Sequence, residues 1–163
     1  MRSRLSILAF PIASSTIVLC WLLFVLSFHK PISHALFVVG NAIVGVSILL
    51  IMLAMATLKR RGDLQEGRDF TATTVLVKHG IYSVVRHPLY LGWLLMYPAA
   101  MLVSQHWVII ILGAIGIVGM DQITRMADEQ LLEKFGADYE TYKKEVPRLN
   151  IVLGIVRKLK RRD

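Results

Sequence analysis

No aspartate or glutamate occurs before Asp63, and Cys20 is the only cysteine in 163 residues. A single cysteine excludes an intramolecular disulfide and a cysteine-built zinc site. Charge of either sign is scarce: Asp, Glu, Lys and Arg make up 18% of the chain, below the roughly 25% usual for a soluble domain. What replaces it is hydrophobic, at 55% of residues with a mean hydropathy of +0.58. Residues 5–28 and 32–58 form charge-free runs of 24 and 27 residues. About 20 apolar residues suffice for a helix to cross roughly 30 Å of hydrocarbon, so both runs are expected to span a membrane. Arg2 and Arg4 precede the first run as in a secretory signal, but the run exceeds a signal's apolar core and lacks a small-residue cleavage site.

The composition switches at Lys59-Arg60-Arg61, which marks a membrane exit. Residues 62–86 form a polar, turn-rich stretch of 25 residues, long enough to suspect a functional loop. Apolar sequence resumes over 88–103, pauses at Ser104-Gln105-His106 and continues over 107–123, where Asp121 is the only charge. The expected fold is therefore all-α: one membrane domain, 1–163, with four spans at about 5–28, 32–58, 88–103 and 107–123, followed by cytoplasmic helices. A polar helix is expected after Thr124, broken at Gly136 and resumed through Tyr139 and Tyr142 to Pro147. Residues 151–162 place apolar residues first and Arg157, Lys158, Lys160, Arg161 and Arg162 last, as in a segment lying at headgroup level.

Four spans put 18 of the 19 lysines and arginines on one face and leave only Lys30 opposite. Basic residues are retained on the cytoplasmic side, so both termini are expected there. Attraction to anionic membrane lipids accounts for the net charge of +8, and nucleic acid is not an expected partner. His29, His34 and His106 fall at the opposite interface, Gly40, Asn41 and Gly45 suit close helix packing, and Asp121 suits a structural role at a span's end.

The densest group of reactive side chains, His79 to Tyr90, stands where the loop re-enters the membrane. Pro88 fits the first turn of a helix. The helix start, with Arg86 and His87 beside it, suits a carboxylate or phosphate, while Gly80 permits a positive φ and Tyr82 and Tyr90 offer rings to flank a flat heterocycle. The plain alternative is an interfacial anchor made of arginine, histidine and tyrosine. A second group follows on the same side: Arg125, Asp128 and Glu129, then Phe135-Gly136, Tyr139 and Tyr142, then Val146-Pro147-Arg148.

In this order and spacing the motifs resemble the isoprenylcysteine carboxyl methyltransferases, which are grouped with the phospholipid methyltransferases. Gly80, Tyr82, Arg86, His87, Pro88 and Tyr90 carry a Gly-x-Tyr-x-x-x-Arg-His-Pro-x-Tyr pattern, followed by an acidic pair and by Phe-Gly-x-x-Tyr-x-x-Tyr at Phe135, Gly136, Tyr139 and Tyr142. Ile81 stands where family members often carry proline, and counting back from Phe135-Gly136 sets the acidic pair on Ala127-Asp128 rather than Asp128-Glu129.

The resemblance implies an integral membrane methyltransferase that binds S-adenosylmethionine through the half spanning about 76–148. Cofactor contacts carry over to His79, Gly80, Tyr82, Arg86, His87, Pro88 and Tyr90, and catalytic roles to Arg125, Asp128 and Glu129. The expected partners are membrane lipids and a lipophilic methyl acceptor, either a prenylcysteine-type carboxylate or a lipid amine, in a bacterial or archaeal cell membrane. Arg125 suits a carboxylate acceptor by paired hydrogen bonds, whereas Asp128 or Glu129 suits the proton of an amine. No metal is implied. An NADPH-dependent reductase of the sterol reductase group and a catalytically inactive membrane accessory protein stand as the alternatives.

Overall fold

The computed structural model describes residues 17–19, 21, 32–62 and 74–160. Every regular element named among them is helical: α1 (His34–Arg61), a 3-10 turn (Gly80–Ser83), α2 (Pro88–Ser104), α3 (Trp107–Phe135), α4 (Ala137–Glu145) and α5 (Ile151–Lys160).

α1 is apolar all round. Leu36, Val38, Val39, Val46, Ile48, Leu49, Met52 and Leu53 are exposed, whereas Gly40, Ser47, Leu50, Ala54 and Leu58 are buried. Water would disfavour that much exposed hydrocarbon, and a bilayer would not. Three of its polar side chains donate back to the helix's own carbonyls. Asn41 Nδ2 donates to the Phe37 carbonyl at 2.8 Å, Ser47 Oγ to Ile43 at 2.8 Å and Thr57 Oγ1 to Leu53 at 2.7 Å. Lys59, Arg60 and Arg61 close the last turn, where cations offset the negative end of the helix dipole.

By length and composition α1 and α3 can each cross a membrane, with mean hydropathies of 2.6 and 1.8 over their most apolar stretches, while α2 is a shorter apolar helix of 17 residues that holds Pro98 within it. Two of the four expected spans therefore meet that standard. The span expected at 5–28 lies outside the described residues except for 17–19 and 21, which are helical.

The chain divides into two compact units. The first comprises Met1–Ile48 with Gly92–Ala127. Within it the chain reverses between α2 and α3 at Gln105, a non-glycine residue with φ of 52°. The side-chain amide of Gln105 bonds Ser33 twice, accepting from its N–H at 2.7 Å and donating to its carbonyl at 2.7 Å. His106, expected at the interface, turns its Nδ1 to the Val108 N–H at 3.3 Å and so caps the first turn of α3. Glycines allow the helices to close: a Cβ on Gly116 would lie 2.1 Å from the Tyr97 ring, and one on Gly40 would lie 2.7 Å from Val103. Of the two glycines expected to pack helices, Gly40 does so, and a Cβ on Gly45 would meet no described residue within 4 Å.

The second unit comprises Leu49–Leu91 with Asp128–Asp163. Two apolar clusters lie among its described residues. Ala54, Leu58, Val77 and Tyr82 form one, with Ile81 and Leu89 against it; Tyr139, Tyr142 and Val146 form the other, with Leu76, Leu131 and Phe135. Gly136, at φ of 53°, ends α3, and its carbonyl accepts the N–H groups of Tyr139 and Glu140, both at 3.1 Å, which starts α4. A left-handed residue at that position suits glycine, which has no Cβ to clash.

Candidate functional site

The chain reaches the Arg86-His87 pair through a tight turn. Gly80 takes φ of 62°, the 3-10 turn follows, and Ser83 Oγ closes it by donating to the Gly80 carbonyl at 2.7 Å. Arg86 and His87 then run beside the Pro147-Arg148 segment: the Arg86 N–H donates to the Pro147 carbonyl at 3.0 Å, and the His87 N–H to that of Arg148 at 3.3 Å. With both backbone donors spent on that segment, α2 begins at the buried Pro88, whose missing N–H needs no partner.

Three side chains converge on one carboxylate oxygen. Asp128 Oδ1 accepts from Arg86 Nη1 at 3.1 Å, lies 2.7 Å from His87 Nε2 and accepts a short bond from the Tyr139 hydroxyl. A carboxylate can only accept, so the His87 contact requires the proton on Nε2. Tyr139 Oη and His87 Nε2 come within 3.4 Å because both aim at the same atom. The arginine is 7% exposed and the aspartate 12%, so the pair is largely withdrawn from water. The Arg86 guanidinium also lies 5.9 Å from the centre of the Tyr139 ring, and the Tyr90 ring is tilted against His87 at 5.6 Å. Arg86 Nε is buried and finds no hydrogen-bond partner among the described residues.

Three tyrosines brace the cluster. Tyr142 Oη donates to the Tyr82 carbonyl at 2.6 Å, joining α4 to the 3-10 turn. Burial pushes the Tyr82, Tyr139 and Tyr142 phenols above their ordinary range, and for Tyr139 the hydrogen bond to Asp128 adds to the effect. They remain neutral donors throughout the physiological range.

The residues singled out from sequence fall in different settings. Arg86, His87 and Asp128 meet. Pro88 and Tyr82 are buried as framework, Tyr82 in the apolar cluster with Leu58, while Tyr90 is half-buried. His79 and Gly80 are exposed at the start of the turn. Glu129 is exposed, and Arg125, which belongs to the first unit, is 60% exposed and bonds Asp121 Oδ2 at 2.8 Å, one helical turn away. The anion-binding corner expected beside Pro88 thus already has an internal anion, Asp128. Tyr139 was visible in the sequence as part of a motif without a role; its spacing of 11 residues from Asp128, across the helix break at Gly136, was the available signal.

Among the described residues every regular element is helical, two helices are long and apolar enough to cross a membrane, and an arginine-histidine-aspartate-tyrosine cluster lies largely withdrawn from water. A family model for phospholipid methyltransferases matches residues 35–137, and the chain belongs to that family. Neither the curated proteins nor the solved structures give a match. Membership makes the chain a membrane methyltransferase.

Proposed function

We propose that this chain transfers a methyl group from S-adenosylmethionine to a lipophilic acceptor in the bilayer, with a phospholipid amine as the first candidate and a prenylcysteine-type carboxylate as the second. The observation that carries the reading is the buried Nε of Arg86, which has no partner among the described residues. A buried donor without an acceptor is costly, and the carboxylate and ribose oxygens of S-adenosylmethionine are acceptors of the required kind. The residues present fit the cofactor on this ground. Arg86 and Tyr90 would hold it, with His79 and Gly80 at the exposed lip of the same turn and His87 and Pro88 as supporting framework.

When bound, S-adenosylmethionine supplies an activated methyl group on a sulfonium that departs as a neutral thioether. The protein's task is then placement and charge control. Asp128 holds Arg86 and His87 in fixed orientation through one oxygen, and Tyr139 orients Asp128 in turn. With three donors on Oδ1, Asp128 is ill suited to take a further proton. An amine acceptor must lose a proton, and the exposed Glu129 carboxylate, next in the chain, is the better base for it. For a carboxylate acceptor no base is needed.

Calorimetric titration of the purified protein with S-adenosylmethionine and with NADPH tests the cofactor, and transfer of labelled methyl to phosphatidylethanolamine or to a prenylcysteine in vesicles tests the acceptor. Binding of S-adenosylmethionine alone, with label in one of the lipids, is expected. Binding of NADPH would favour a reductase, and binding of neither an inactive accessory protein.

A further inference from the structure

α5 is turned the wrong way for a helix of a water-soluble surface. At 100° per residue Ile151, Val152, Ile155, Val156 and Leu159 share one arc. That arc should lie on the protein, yet Val152 is 73% exposed, and Ile155, Val156 and Leu159 are exposed as well. The opposite side is the one that packs. Gly154 is buried so tightly against the 3-10 turn's exit that a Cβ there would lie 1.9 Å from the Val84 carbonyl oxygen, and Lys158 Nζ donates to Ser83 Oγ at 2.8 Å. The helix is thus fixed by its small and polar side with its hydrocarbon presented outward.

Charge indicates what covers that hydrocarbon. α5 carries no acidic residue, and its last turns hold Arg157, Lys158 and Lys160. An apolar arc bordered by cations matches a layer that offers hydrocarbon beneath and anionic phosphate above. A second copy of α5 would set the same cations against one another.

We propose that α5 docks on an anionic lipid surface, its Ile151-Val152-Ile155-Val156-Leu159 arc sunk among the upper acyl chains and Lys160 at headgroup phosphate. Because α5 is seated on Ser83 and Val84, this docking also fixes the turn that leads into Arg86 and His87. The inference is independent of the cofactor and of the acceptor.

The test uses the full chain with Cys20→Ser and Val152→Cys, the new thiol carrying an environment-sensitive fluorophore. The protein is reconstituted into vesicles of phosphatidylcholine alone, or of phosphatidylcholine with an equal part of phosphatidylglycerol. In the anionic vesicles a nitroxide on the lipid chain should quench the label and aqueous iodide should not. Lys160→Glu should reverse that order, since each unit of charge at an anionic surface changes the docked-to-undocked ratio about fivefold. Three results would each overturn the proposal: iodide as the stronger quencher in both lipids, equal lipid quenching in both, or quenching that follows the protein-to-lipid ratio and so reports a second copy as the cover.

Discussion

Asp128 Oδ1 and His87 Nε2 lie 2.7 Å apart although 41 residues separate them in the chain. The contact fastens the polar end of α3 to the start of α2 within the second unit, and it shares its oxygen with Arg86. Asp128→Ala removes the anion and leaves the Arg86 cation buried. Breaking such a pair costs about 3–5 kcal/mol. Unfolding followed by denaturant in detergent should show that loss, whereas Glu129→Ala, at an exposed position, should stay within about 0.5 kcal/mol of the parent.

The same two neighbours should separate the other way in catalysis. If Glu129 takes the proton of an amine acceptor, Glu129→Gln lowers kcat by about 10²–10⁴-fold with S-adenosylmethionine binding retained. Initial rates with phosphatidylethanolamine vesicles, alongside binding isotherms, check this. A variant with parental kcat removes Glu129 from the reaction.

Tyr142→Phe deletes the donor to the Tyr82 carbonyl and leaves that oxygen without its bond, at a cost of about 1–3 kcal/mol. Tyr139→Phe is expected to lose more when Asp128 is present than when it is asparagine. A double-mutant cycle measures that difference, and additivity would show that the two do not act as a unit.

The phenols of Tyr82, Tyr139 and Tyr142 are raised above the ordinary value of 10.0 in the folded chain, chiefly by burial. A pKa raised on folding gives stability that is complete below the unfolded value and is lost as pH climbs toward the folded one. Stability should therefore hold to about pH 10 and fall above it. Alkaline unfolding curves, with tyrosinate absorbance at each pH, check the sign: these three phenols should ionise only as the fold is lost.

Gly154→Ala should displace α5. The new methyl would meet the Val84 carbonyl oxygen, a backbone atom that cannot swing aside as a flexible side chain would. Overpacking of this kind costs about 1–3 kcal/mol. Faster amide hydrogen exchange across residues 80–87 should accompany it, and unchanged exchange would mean that the seat of α5 does not steady the turn.

The sequence determined by itself whatever depends on local pattern. Charge-free runs longer than a bilayer is thick, a glycine at the end of α3 and a proline at the start of α2 are read along the chain, because helix length, caps and breaks are set by near neighbours. The motif order that resembles the methyltransferases was legible for the same reason, and the family match over residues 35–137 agrees with it. Only the tertiary structure decided which of those residues meet. Asp128 and Glu129 are adjacent letters of similar chemistry, but successive residues of a helix point about 100° apart, so one is drawn into the cluster while the other is left exposed. Arg125 looked equally suited to the site, yet its i,i+4 partner Asp121 holds it in an exposed pair. The amphipathic pattern of α5 was plain in its letters, whereas the outward direction of its apolar arc was not. That direction follows from a single close contact, Gly154 on the Val84 carbonyl, between residues 70 positions apart in the chain.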